Sequence, residues 1–328
     1  MNIAITAFAA VTAAGFSMTA AVAATVDMGI GYALGNNGTS ISRIADLTAP
    51  TVGKTIDLTL DGAALRVDAI AYRPNTGGFN AYADEGNAVY SFDIDTGVAT
   101  KVAEGSGRNA DGKRVQTTSN AIGFDFNNAL DAARIVSSNE QNLVFFPERS
   151  DAEPSRLIRA TDLFYVPGDL NEGNNPSVFA NAYTNALPQG EALALSANGD
   201  AQMQYVLDSA NDVLATLGNN AGTLSTIGNL TLDGEALKFD RFGGLDILTD
   251  ADGSDIAVAL LNIRGTSQLF SFELPSEAGD VAVTALGSIG KGFSGFAIAP
   301  APVPLPAAGL LLLAGLGGLG AMRRFRKA

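Results

Sequence analysis

No histidine and no cysteine occur anywhere in the 328 residues. That removes thiolate and imidazole metal sites, ordinary zinc sites included. It also removes Ser-His-Asp, Cys-His and every histidine acid–base mechanism. What remains is carboxylates, Lys, Tyr, Ser/Thr and any hard cation held by oxygen. Asp125 and Asp246 stand out among the acids because each is the third residue of a similar run, Gly123-Phe124-Asp125-Phe126 and Gly244-Leu245-Asp246-Ile247. Carboxylates converging from equivalent strands suit Ca²⁺, with carbonyls and water completing the shell. As ordinary side chains, each would instead cap a loop or pair with Arg134 or Arg241. A third acid, Asp169, opens Asp169-Leu170-Asn171-Glu172-Gly173-Asn174-Asn175. This run alternates Asp and Asn like a calcium loop but lacks the twelve-residue pattern with its terminal bidentate Glu. Asx-rich loops also bond their own backbone. Asp250–Asp255 reads the same way, as a polar hairpin turn. No cofactor is expected, with Ca²⁺ the one candidate.

The charge balance narrows the partners. Twenty Lys and Arg stand against 34 Asp and Glu, a net of −14. Four of the positive charges are Arg323, Arg324, Arg326 and Lys327, and residues 1–24 carry none. Removing both ends leaves 16 positive against 34 negative charges, a net of −18. Such a surface repels phosphate backbones, so nucleic acid is not an expected partner. Only 16% of residues are charged, whereas 47% are hydrophobic and 37 are glycine. This composition suits a large core built from short strands and many tight turns.

The two ends read as addresses. Ile3–Met18 is an apolar, Ala-rich run ending in Ala21-Val22-Ala23-Ala24, small residues suited to signal-peptidase cleavage. No Lys or Arg precedes it, so the α-amino group alone supplies the positive n-region. At the other end, Ala301–Met322 is free of charge for 22 residues and is followed by the Arg/Lys cluster. The prolines shorten its helical part to about 16 residues, a marginal transmembrane span. The positive-inside rule keeps the cluster in the cytoplasm and everything before it outside the inner membrane. Val303-Pro304-Leu305-Pro306-Ala307, the apolar stretch and the basic cluster, in that order, resemble a VPLPA-type sorting tail related to PEP-CTERM signals. That resemblance implies that an exosortase-type enzyme of a Gram-negative inner membrane reads Val303–Ala307. Ala308–Ala328 would then be a transient anchor. A permanent transmembrane helix is the alternative.

Between the ends, short alternating runs are separated by Gly, Asn, Asp and Pro, the pattern of an all-β domain over residues 25–300. No convincing amphipathic helix is legible. One short strand recurs: Ala69-Ile70-Ala71-Tyr72, Gly123–Phe126, Gly244–Ile247 and Gly295-Phe296-Ala297-Ile298, with a weaker copy at Ala180-Asn181-Ala182-Tyr183. Start-to-start spacings are 54, 57, 64 and 51 residues. Each copy but the last leads into further strands, and four strands at this spacing make a propeller blade. Gly295–Ile298 has no room for a blade after it, while Gly31–Leu34, Ser40–Ile44 and Lys54–Leu58 have no inner strand before them. A closing blade shared by the two termini, one of five, is the economical solution. Six blades or a two-sheet sandwich are the alternatives.

The order of these pieces carries a second resemblance. Ala121–Asn127, Arg134–Ser137, Gln141–Leu143, Gly168–Asn171, Ala182–Asn185 and Ala221–Leu224 together resemble an uncharacterised exported bacterial family known only as a domain of unknown function. The match spans roughly residues 30–300 and implies a propeller-like fold but no activity. The expected function is that of a cell-envelope or extracellular binding or matrix protein, partnered by an extracellular polysaccharide or envelope protein. The alternative is a glycoside hydrolase working through two carboxylates. Two central acids in an open pocket would favour the enzyme, and a channel plugged by apolar side chains would favour binding.

Overall fold

The computed structural model describes residues 28–250 and 253–300. The signal segment 1–24, the motif Val303–Ala307, the apolar tail expected to form a transmembrane helix and the basic cluster Arg323–Lys327 lie outside the described residues. Among those described, no helix is long and apolar enough to cross a membrane.

The fold is all-β and propeller-like, built from five hydrogen-bonded sheets. The first sheet runs, from inside outward, Gly295–Ala299, Ile30–Gly35, Ser40–Ile44 and Val52–Asp57. The second begins with Ala69–Arg73, the third with Ile122–Asn127, the fourth with Val178–Tyr183 and the fifth with Gly243–Thr249. The four principal strands of each sheet are antiparallel to their neighbours, whereas the short strands Thr59–Leu60 and Phe164–Tyr165 join the outer edge in parallel. These five inner strands are the five copies of the repeat, including the weak one. They pack side by side in a closed cycle in which 69–73 touches 122–127, and so on through 178–183, 243–249 and 295–299 back to 69–73.

The termini close that cycle. Ile30 pairs with Ala299, Tyr32 with Ala297 and Leu34 with Gly295, all antiparallel. The lone inner strand near the C-terminus therefore completes a sheet whose other strands come from the N-terminus, the pairing its isolation in the sequence implies.

Not every sheet holds four strands. The second has six and the fourth seven, because short pieces such as Thr59–Leu60, Phe164–Tyr165 and Val281–Ala282 add to their outer edges. These two-residue strands are too short to leave a periodic signal. A helix at Gln189–Ala197 is a further departure from the expected pattern. Only Ala192 within it is buried, so it lacks the apolar stripe by which helices are recognised.

Five apolar clusters hold the sheets together, one between each neighbouring pair. Period-two alternation on the inner strands feeds two clusters at once. Ile122, Phe124 and Phe126 enter the core shared with the second sheet, which leaves Gly123 and Asp125 facing the fourth. Leu245 and Ile247 likewise pack toward the fourth sheet, which leaves Gly244 and Asp246 facing the first. Turn chemistry agrees as well: Asp61 and Gly62, between the paired strands Thr59–Leu60 and Ala63–Ala64, sit at φ 51° and 80°, the left-handed pair a tight hairpin requires.

Candidate functional site

The inner strand of a propeller sheet has one unpaired edge, facing the channel, and its buried N–H groups need acceptors. Asp125 and Asp246 supply two of them. Asp125 Oδ2 accepts the Tyr183 N–H of the next inner strand at 2.8 Å. Asp246 Oδ2 accepts the Ile298 N–H of the next inner strand at 2.6 Å, and its Oδ1 accepts the Ile247 N–H at 2.8 Å. The equivalent positions on the other three inner strands are Ala71, Ala182 and Ala297. Neither aspartate pairs with an arginine. Arg134 stands opposite Asp125 in register but donates to Asn142 Oδ1 and Asn220 Oδ1, and Arg241 lies over the Phe242 ring.

Burial is the main force on both carboxyls. It pushes Asp125 well above the usual carboxylate range, and the Asp246 charge pushes it further. Asp246 is pushed up to about 7 by burial, against the pull of its two backbone N–H donors.

The ends of the inner strands plug the channel above these acids. Ile70, Phe124, Leu245 and Phe296 converge there around a cavity of about 10 Å³, room for roughly one water. Asn181 lines the same cavity, 1% exposed, with neither amide atom bonded to protein. The plug is tight because the strands approach closely at two glycines. A Cβ on Gly123 would sit 2.8 Å from Ala180 Cα, and one on Gly244 would sit 2.7 Å from the Phe296 nitrogen.

Asp169 is elsewhere. Its Oδ1 accepts the Asn171 N–H at 2.8 Å and the Thr226 hydroxyl at 2.6 Å, and its Oδ2 accepts the Thr226 N–H at 2.7 Å. Burial raises its pKa, but the Thr226 and Asn171 bonds outweigh that and hold it below the usual range. The carboxylate therefore pins the Asx-rich loop to the outer part of the fourth sheet. Asp250 Oδ1 accepts the Ser254 N–H at 2.9 Å, a turn bond within its own hairpin. Among the described residues, no group of three or more acids is placed to hold a metal ion.

The open site lies over the plug, at the end of the channel where the inner strands begin. A pocket of about 330 Å³ is lined by residues leading into four of them: Val67 and Asp68, Asn120, Phe242, and Phe293 with Ser294. Asn37, Arg66, Asp240 and Asn262 add polar groups. Asn262 is the organiser. Its Nδ2 donates to the Phe242 carbonyl at 2.9 Å and the Phe293 carbonyl at 2.7 Å, while its Oδ1 accepts the Ser267 hydroxyl at 2.5 Å. Its own carbonyl accepts the Asp240 N–H at 2.9 Å. One buried residue thus fixes the backbone of both half-buried phenylalanines, through its amide, and that of Asp240, through its own carbonyl. Opposite, Asp68 holds Arg66 at 2.5 Å and accepts the Asp84 N–H at 2.8 Å. Burial raises the Asp68 carboxyl even beside Arg66.

Sequence reasoning singled out none of these pocket residues. Apart from Asn262, which lies on the strand Asp255–Ile263, they come from connections scattered between Asn37 and Ser294, and no spacing marks them. The single faint signal is position: four of the loops immediately precede a copy of the repeated strand.

Comparison with known proteins gives a family. A family described as a domain of unknown function (DUF4394) matches residues 44–299. No curated protein matches the chain. Among solved structures, the chain is similar to a protein of unknown function from Bacteroides thetaiotaomicron, with 14% identity, a TM-score of 0.43, and 83% of this chain and 66% of that one covered. It is also similar to an auxiliary nutrient binding protein from Bacteroides ovatus, with 12% identity, a TM-score of 0.40 and 70% of this chain covered. The chain spans 55% of the length of that protein. AofleA from Arthrobotrys oligospora is a third, with 12% identity, a TM-score of 0.40, and 84% and 73% covered.

Proposed function

We propose, from the premise that this chain belongs to the DUF4394 family of domains of unknown function, that it is an envelope or extracellular binding protein. Each of the five sheets is read as one blade of a five-bladed propeller, closed by the blade that the two termini share. The pocket at the head of the channel takes a hydroxyl-rich ligand such as the end of an extracellular polysaccharide. Export follows from the N-terminal signal and the VPLPA-type tail, with signal peptidase and an exosortase-type enzyme as processing partners.

The observation that carries this reading is the pocket over the plug. Two aromatic residues, Phe242 and Phe293, stand at its wall, with their main-chain carbonyls held by Asn262. Apolar faces beside a few fixed polar groups are the usual make-up of a small-molecule site. Sugars offer the complement, with C–H faces to stack on rings and hydroxyls to bond Asn37, Asn120 and Asp240. Arg66, pinned by Asp68, keeps further donors in a fixed direction.

The hydrolase reading gains nothing from this geometry. Glycoside cleavage needs two carboxyls facing a sugar across an open site. Asp125 and Asp246 lie below an apolar plug and are bonded to backbone N–H groups. In the pocket itself, Asp68 is committed to Arg66 and the Asp84 N–H, which leaves Asp240 without a matching partner.

A glycan array probed with the full chain tests the proposal. Binding to a defined set of glycans is expected. The variants Phe242→Ala and Phe293→Ala should each weaken that binding at least about tenfold, the loss of one aromatic contact in a desolvated site. Binding unchanged in both variants would move the site away from this pocket. A blank array would remove the carbohydrate reading.

A further inference from the structure

The channel aspartates are not explained by ligand binding in the pocket above them. They occupy matched places on two of the five inner strands and point the same way round the ring. Each accepts an inner-edge N–H from the strand that follows. A backbone N–H needs only a neutral acceptor, and holding two half-buried carboxylates in one narrow channel is costly unless their charge is compensated. Among the described residues, neither aspartate forms an ion pair.

The surrounding elements offer no counter-charge bonded to either carboxyl, since Arg134, opposite Asp125 in register, donates instead to Asn142 and Asn220. The closing strand Gly295–Ala299 carries no titratable group. On the 69–73 strand, Arg73 is bound to Asp131, and Tyr72 is a neutral phenol whose pKa burial raises further. On the 178–183 strand, Tyr183 donates to Asn219, with Arg134 beside it. In the strand paired with 243–249, Val258 stands opposite Asp246, and Asp255 at the far end accepts from Thr249 and from the Asn185 N–H.

We propose that Asp125 and Asp246 share one proton near neutral pH, and that losing it loosens the ring that they staple. With one carboxyl neutral, the channel holds a single negative charge spread over two N–H-bonded sites. With both ionised, two like charges share one narrow channel, on strands 122–127 and 243–249 that approach each other across the ring, below the apolar plug. One of the two staples holds Ile298 on the closing strand, so the strain falls on the seam where the termini meet. The direction in which burial moves both carboxyls agrees.

The sign of the effect is opposite to that of an ordinary salt-bridged carboxylate. A carboxyl raised in the folded state holds a proton that the unfolded chain has already lost. Stability therefore falls as pH rises from the ordinary carboxylate range toward 7, then levels off. Thermal unfolding of the full chain at pH 5 and pH 8 reads this directly, with a melting temperature several degrees higher at pH 5 expected. The double variant Asp125→Asn/Asp246→Asn should lose most of that difference. The readout is the difference between pH values, because each Asn gives up one N–H acceptor at every pH. Asp68→Asn and Asp255→Asn, whose carboxyls burial also raises, should each remove only their own share. A double variant that keeps the wild-type difference overturns the proposal. So does a calcium-induced rise at pH 8 that the double variant lacks, since a cation would then be the counter-charge. Should the double variant fail to fold, carboxyl-carbon NMR of the wild type decides. A channel carboxyl still protonated at pH 6 supports the shared proton, and both ionised at pH 5 overturns it.

Discussion

Asn262 shows how one amide can carry a binding site that no motif announces. It is buried, spends both Nδ2 hydrogens on the carbonyls of Phe242 and Phe293, and accepts from Ser267. Those carbonyls belong to two loops that share no secondary structure, so the amide is what sets the spacing of the backbone that carries the two phenylalanines. Asn262→Ala should leave the Ser267 hydroxyl and two carbonyls without their partner, at a cost of about 1–3 kcal/mol of stability. Ligand affinity should fall along with it, because the rings lose their register. Asn262→Asp supplies an acceptor where donors are needed and should fare no better. Denaturant unfolding and glycan titration of the same variants check both parts. The other residue-level expectations divide differently. Asp125 and Asp246 were legible as special because a repeat exposed them, yet what they bond was not: an inner-edge N–H has no sequence signature. The Asp169 run reads as a possible cation loop from its alternation, and in the fold its carboxylate is spent on Thr226 and Asn171.

At the level of strands, the repeat was the informative feature, and glycine is the reason it was visible. Gly123 and Gly244 each begin an inner run because the neighbouring strand passes too close for a Cβ. That constraint accounts for the Gly-aromatic/aliphatic-Asp pattern in two sheets, while Ala69 and Ala180 start two of the other inner runs and Gly295, where an added Cβ would come no nearer than 3.3 Å to Leu34, starts the third. Gly244→Ala would force its Cβ against the Phe296 backbone at 2.7 Å, and backbone cannot swing aside as a side chain can. A destabilisation of about 1–3 kcal/mol is expected, the usual cost of overpacking a tight core. Gly265→Ala, at a turn where an added Cβ meets nothing within 4 Å, isolates the separate cost of positive φ. Comparing the two melting temperatures separates crowding from backbone strain. The elements missed are those without such a constraint: two-residue edge strands, and the Gln189–Ala197 helix, which buries little and so shows no stripe.

For the whole molecule, the decisive contact joins residues about 270 positions apart. Five register pairs, from Ile30↔Ala299 to Leu34↔Gly295, unite the first described strand with the last. The closing strand also places Phe296 and Ile298 in the core between the fifth and first sheets, and Ala297 in the core between the first and second. Burial of one Phe and one Ile alone is worth about 5–10 kcal/mol by truncation costs, comparable to the whole stability of an ordinary domain. Until this strand arrives, the inner edge of Ile30–Gly35 is open, and an open edge recruits other chains. A chain ending at Ser294 should therefore fail to fold cooperatively and should aggregate. A chain ending at Pro300 keeps every closing contact and should melt within about 2 °C of the full chain. The proposed processing motif fits that boundary, since Val303 begins four residues after Ala299, so cleavage at or beyond it would spare the seam. Calorimetry and size-exclusion chromatography on the two truncations test this. A soluble, cooperatively melting chain that ends at Ser294 would show that the ring does not depend on its seam. A Pro300 chain that melts far below the full protein would show that the tail contributes to the folded domain as well as to its address.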